Sequence, residues 1–132
     1  MNYHSRIRTV SLVRGDVVNV NFPVPSALRG RIQSGIRPGV IFNSTDALSL
    51  VPVVLVVPGT SKLGALRFPN TIQIDPLQSN GLTSPTVFLP FQMQAADPAW
   101  IGARLGALTT EELTKLENEV LLTLGFDPPD DD

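Results

Sequence analysis

Few side chains in this 132-residue sequence are equipped for chemistry. There is one histidine, His4, and no cysteine, which leaves no basis for histidine triads, thiolate nucleophiles or a metal site built on histidine or thiolate. The four aspartates of the body, Asp16, Asp46, Asp75 and Asp97, are too widely spaced to suggest a paired-carboxylate site. Neither a dinucleotide fingerprint nor a P-loop occurs. Arg14-Gly15-Asp16 spells an adhesion tripeptide but reads as the start of a strand. What remains is arginine and hydroxyl chemistry. Arg37 stands between a glycine-rich loop and a strand, and Thr60-Ser61-Lys62 follows another strand. Groups at strand ends gather at one rim of a sheet, where together they could bind and polarise a phosphodiester. The plain alternative is a strand start at Arg37-Pro38 and a turn at Thr60-Ser61.

The charge distribution bears on the same question. The net charge of −2 hides an asymmetry: residues 1–108 hold nine Lys/Arg and four Asp, whereas residues 109–132 hold one Lys and eight Asp/Glu. Six arginines (Arg6, Arg8, Arg14, Arg29, Arg31, Arg37) precede residue 38, and arginine outnumbers lysine eight to two. Guanidinium forks suit phosphates, so a basic body with an acidic tail hints at nucleic acid; solvated surface arginines are the other reading.

These groups need a scaffold. At 42% hydrophobic and 17% charged, the chain is too apolar for disorder, and its 12 prolines exclude a coiled coil. Its length suits a single domain, expected over residues 1–126, with residues 127–132 as a disordered acidic tail. No apolar run approaches the roughly 18 residues of a membrane span, and the first 13 residues lack the apolar block of a signal peptide. A cytoplasmic protein is expected.

Strands come first and one helix last. Asp16–Phe22 alternates, with Val18, Val20 and Phe22 on one face. Pro23–Gly35 reads as a long exposed loop of the kind that usually carries function. Pro38–Asn43 and Ser49–Val57 follow as strands, the second covered on both faces, and Pro58–Lys62 breaks it. Thr71–Ile74, Thr86–Gln94 (interrupted by Pro90) and a short piece at Gly106–Leu108 complete the strands, with a turn at Ser79–Gly81. Thr109 to Glu112 fits a capping box, Leu113, Leu116, Val120, Leu121 and Leu124 recur at helical spacing, and Gly125 suits the C-terminus.

Five strings in this order resemble the MazF/PemK (Kid) toxins. Arg14-Gly15-Asp16-Val17-Val18 is similar to their first strand, and Gly35-Ile36-Arg37-Pro38-Gly39-Val40-Ile41 to the start of their second. Val56-Val57-Pro58-Gly59-Thr60-Ser61-Lys62 resembles the end of their third strand, and Phe88-Leu89-Pro90-Phe91-Gln92 the strand bearing their glutamine. Arg104-Leu105-Gly106 and the Thr109-led helix ending Leu124-Gly125-Phe126 resemble their C-terminal helix region, so the likeness spans about residues 13–126.

The resemblance implies a mainly β fold with a C-terminal helix, an SH3-like small barrel of the MazF/PemK/CcdB-like kind, forming a homodimer. It implies a toxin that cuts single-stranded RNA at short sequences, without metal or other cofactor, by internal attack of the 2′-OH. The implied partners are RNA and an acidic, MazE-like antitoxin, with DNA reached only through the antitoxin complex and no membrane. The family's arginine falls on Arg37, to stabilise developing charge and protonate the leaving 5′-oxygen; its threonine falls on Thr60, to hold a phosphate oxygen. Ser61 and Lys62 stand nearby, Gln92 takes the amide position, and Arg29, Arg31 and Gln33 would touch the strand as the loop closes. An acidic residue that members often carry before the glutamine is here Phe91, and arginines that members use nearby fall on Leu89 and Gln94, leaving no evident general base. The alternative is a non-catalytic protein of the same fold that binds RNA or poisons another macromolecule.

Overall fold

The computed structural model describes residues 12–23 and 35–130. Among them are seven strands: β1 (Asp16–Phe22), β2 (Gly35–Ile41), β3 (Val54–Thr60), β4 (Ile72–Ile74), β5 (Thr86–Phe88), β6 (Gln94–Ala96) and β7 (Ile101–Ala107). One helix, α1 (Thr110–Thr123), follows. The described pairings are antiparallel, in the order β4-β5-β3-β2-β1-β7, with β6 also on β3. β3 is the branch point. It pairs with β2 along one edge; on the other it takes β6 through Val54–Val56 and β5 through Gly59–Thr60. The strand path stays open between β4 and β7, but the loop after β4 spans that gap: the Ala107 N–H donates to the Ser79 carbonyl at 2.8 Å.

Both faces of the sheet are covered. Val18, Val20 and Phe22 share one face as their alternation predicts, packing with Ile41, Val54, Val56 and Trp100. Val17, Val40 and Val57 face the opposite way, onto Phe88 and the helix residues Leu116 and Val120. The helix starts as its sequence predicts. Thr109 Oγ1 accepts from Glu112 N–H at 3.0 Å and Glu112 Oε1 accepts from Thr109 N–H at 2.9 Å, satisfying two donors that helix geometry leaves free. It ends at Leu124-Gly125, where the Phe126 N–H returns to the Leu121 carbonyl at 2.8 Å. Of the expected apolar stripe Leu116 and Val120 are buried, while Leu124 lies exposed.

Arg14-Gly15-Asp16 is a structural clamp. The buried Asp16 carboxylate accepts the Val13 N–H at 2.9 Å and the Arg104 guanidinium at 3.1 Å, tying β1 to β7. The Arg14 guanidinium bonds the Phe42 carbonyl, stacks over the Phe42 ring at 4.3 Å and meets Glu117 of the helix at 2.8 Å.

Several boundaries depart from expectation. β2 begins at Gly35 rather than Pro38, so Arg37 lies inside the strand. β3 runs Val54–Thr60, not Ser49–Val57: the apolar run Leu50–Val53 is exposed turn, with Leu50 at 81% of its full exposure. Pro58-Gly59 does not break β3. Pro58 donates nothing, but its carbonyl accepts the Leu89 N–H at 2.9 Å. Gly59 is required because a Cβ there would meet Thr86 Cγ2 at 2.5 Å and Phe88 Cε1 at 2.9 Å where β5 crosses. Thr86–Gln94 forms β5 and part of β6, with a 3₁₀ turn at Pro90–Gln92 between them. The piece expected at Gly106–Leu108 is instead the seven-residue β7.

Candidate functional site

β2 and β3 bring the two leading candidates to one rim. Their pairing ends with Gly39 opposite Pro58. Beyond that pair β3 turns to β5, and Arg37 and Thr60 line the two clefts on either side of its end. Arg37, half-buried, is held from its other edge by Val20 of β1. Thr60 is only 9% exposed and pairs with Val87 of β5. Its Oγ1 accepts the Lys62 N–H at 3.2 Å, a local turn that ends the strand and leaves Ser61 and Lys62 exposed.

The end of β3 separates two clefts. One, of about 330 Å³, is lined by Arg37 and Ser61 together with Asn19, Thr83, Ser84 and Thr86. The other, of about 640 Å³, is lined by Thr60, Lys62 and Gln92 together with Arg67, Phe68 and Phe91. Arg37, Lys62 and Arg67 are the charged residues of these linings, and neither includes a carboxylate. Such a surface favours an anion, and the hydroxyls and amides around it offer both donors and acceptors.

The expected site residues therefore divide between two adjoining clefts. Gln92 closes the turn Pro90–Gln92 and lies half-buried beside the exposed Phe91. Arg29, Arg31 and Gln33, expected to touch a substrate, lie outside the described residues. Sequence reasoning missed Asn19, Thr83, Ser84 and Thr86, single polar residues with no motif to mark them, and Arg67-Phe68, a basic–aromatic dipeptide that did carry a signal. Among the described residues no three histidine or carboxylate side chains are grouped to hold a metal ion, and no helix is long and apolar enough to cross a membrane.

These elements define a class, a small coiled antiparallel sheet with a C-terminal helix and a cation-lined rim. Comparison with known proteins makes it specific. The family model for PemK-like, MazF-like toxins of type II toxin–antitoxin systems matches residues 13–124, and the chain belongs to that family. It is 26% identical over 113 residues to the endoribonuclease MazF of Staphylococcus saprophyticus, covering 86% of this chain and 91% of that protein. The crystal structure of MazF from Deinococcus radiodurans superposes with a TM-score of 0.69 at 20% identity, covering 87% of this chain and 97% of that one. A mycobacterial endoribonuclease in complex with its cognate antitoxin superposes with a TM-score of 0.65 at 19% identity, covering 89% and 97%. The fold expected from the resemblance is the one found.

Proposed function

We propose that this chain is a growth-arresting toxin acting as a sequence-specific, metal-independent endoribonuclease on single-stranded RNA. The observation that carries the reading is the placement of Arg37 and Thr60 in two adjoining clefts at the end of β3, neither lined by a carboxylate. In the reaction, the ribose 2′-hydroxyl gives its proton to a solvent water and its oxygen attacks the adjacent phosphorus. The bond to the 5′-oxygen breaks, and that oxygen takes up a proton, leaving a 2′,3′-cyclic phosphate and a 5′-hydroxyl. Arg37 stabilises the charge on the phosphoryl oxygens and stands as the proton source for the leaving group; Thr60 holds a phosphoryl oxygen; Ser61, Lys62 and Gln92 bind flanking nucleotides. With no carboxylate or imidazole in either lining, the acceleration rests on positioning and on cationic stabilisation.

Incubation of the purified chain with single-stranded RNA in excess EDTA tests this. Cleavage with cyclic-phosphate ends is expected, and intact RNA at stoichiometric enzyme would refute it. A second reading, a binding protein of the same fold without nuclease activity, is favoured by Phe91 at the family's acidic position; tight RNA binding without a cut would decide for it.

The proposed partners follow from the family and from charge. A cytoplasmic antitoxin with an acidic segment would occupy the cationic rim, and DNA would be reached only through the complex; the mycobacterial endoribonuclease in complex with its cognate antitoxin supports an antitoxin partner. A homodimer is expected, because Leu50, Val53 and Leu55 stay exposed along one region of the chain although β3 itself is central. Light scattering at micromolar concentration should give about twice the 14.2 kDa chain mass, and a monomer alone would contradict it.

A further inference from the structure

The larger cleft has a composition that phosphate binding alone does not require. Phe68 and Phe91 are 38% and 46% exposed and belong to none of the buried clusters. They meet edge to face, with ring centroids 5.2 Å apart and planes at 66°. The Arg67 guanidinium lies over the Phe68 ring at 4.3 Å and is held there by a 2.9 Å bond to the Gly64 carbonyl. The two rings thus form a fixed aromatic corner with one cation stacked on it, and Lys62 lines the same cleft. Thr60 lines it too, so the corner is continuous with the proposed phosphate site.

An aromatic face flanked by two cations, beside a phosphate-holding hydroxyl, matches one ligand chemistry well. A nucleobase needs a π-surface, its phosphates need cations, and the two recur together along a single strand. A purely apolar peptide would use the rings but leave Lys62 and Arg67 without a role. A base paired in a duplex is not free to swing out, so the cleft suits single strands.

We infer that this cleft is a base-binding subsite. The nucleotide beside the phosphate held at Thr60 stacks its base on Phe91, with Phe68 backing that ring and Lys62 and Arg67 facing the next phosphate. Phe91 thereby holds the base next to the cut, with the modest base preference that differences in stacking strength give. The inference rests on the ribonuclease reading above and deepens it.

The test has two readouts. Cut sites of wild type, Phe91→Leu and Phe91→Tyr are mapped on one pool of single-stranded RNA. Binding of uncleavable 2′-O-methyl single strands carrying 2-aminopurine at successive positions is followed by fluorescence, with thermal melts to confirm folding. Leucine keeps the bulk and removes the π-face. Phe91→Leu should bind roughly 5- to 100-fold more weakly, lose quenching at one position and flatten the base preference beside the cut. Phe91→Tyr should retain all three, and Phe68→Leu should show the same losses in milder form.

If Phe91→Leu binds within twofold of wild type with an unchanged cut-site profile while wild type cuts, the subsite is wrong and the ribonuclease reading stands. If Phe91→Leu keeps its cleavage profile but escapes inhibition by the acidic antitoxin, the cleft is a peptide site and the inference is likewise overturned. A wild type that neither binds nor cuts single-stranded RNA removes both.

Discussion

Arg37→Ala is expected to lower cleavage of single-stranded RNA by on the order of 10²-fold or more, and to abolish growth arrest, with no change in the circular dichroism spectrum. Arg37 lies in β2 opposite Val20 of β1 and lines, with Ser61, a cleft without carboxylates. A charge-assisted contact made to the phosphoryl oxygens as charge builds on them acts in the transition state, so its loss should fall on kcat more than on KM. Arg37→Lys should rescue poorly, because an ammonium is a point charge without the guanidinium fork. A correctly folded Arg37→Ala variant that cuts RNA within a few-fold of wild type would take Arg37 out of the site and most of the mechanism with it.

Gly106→Ala should be a severely damaging small change in the scaffold. A Cβ at Gly106 would overlap the Ser79 carbonyl oxygen and lie 2.7 Å from the Asn80 carbonyl carbon. These are backbone atoms, and they cannot turn aside as a long side chain could. The loop they belong to is itself braced: the buried Asn80 side chain accepts the Leu77 and Leu82 N–H groups at 3.1 and 2.9 Å and donates to the Asp75 carbonyl at 3.0 Å. Alanine must therefore push β7 and the loop apart, at a cost of about 2–4 kcal/mol, which lowers Tm by roughly 10 °C in a chain of this size. The smaller cleft should open as well, since Gly81 to Ser84 of that loop form its wall. Gly64→Ala is the matched control: the nearest atom to its Cβ is Arg67 Nη1 at 3.6 Å, an ordinary contact, so Tm should hold. Equal melting temperatures for the two variants would show that loop and strand are not in tight contact.

What could be read in advance was chemistry confined to neighbours. The capping box joins residues three apart, and the alternation in Asp16–Phe22 joins residues two apart, so both were legible before any tertiary context. β3 was misplaced because Leu50–Val53 is as apolar as a strand, and only tertiary context leaves it outside. Pro58-Gly59 looked like a breaker because the reasons it is tolerated, the Leu89 N–H and the crossing of β5, lie about thirty residues away. For the candidate site, the family strings mark Arg37 and Thr60. The larger cleft was not, because its walls come from residues 60–68 and 89–92, and only the fold joins them.

The clamp at Arg14-Gly15-Asp16 dictates when the molecule can assemble. Its two ion pairs reach across 88 and 103 residues of sequence, to Arg104 and Glu117. β1 can pair with β2 early, but its ties to β7 and the helix wait until those residues exist, and β2 and then β3, which carry Arg37 and Thr60, follow β1 in the sheet. Contacts this distant form late and make folding slow. On the ribosome, a chain truncated before residue 104 would carry Arg37 and Thr60 without the ties that join β1 to β7 and the helix. A fragment released by aborted translation would therefore be harmless, and toxicity would arrive only with a nearly complete chain.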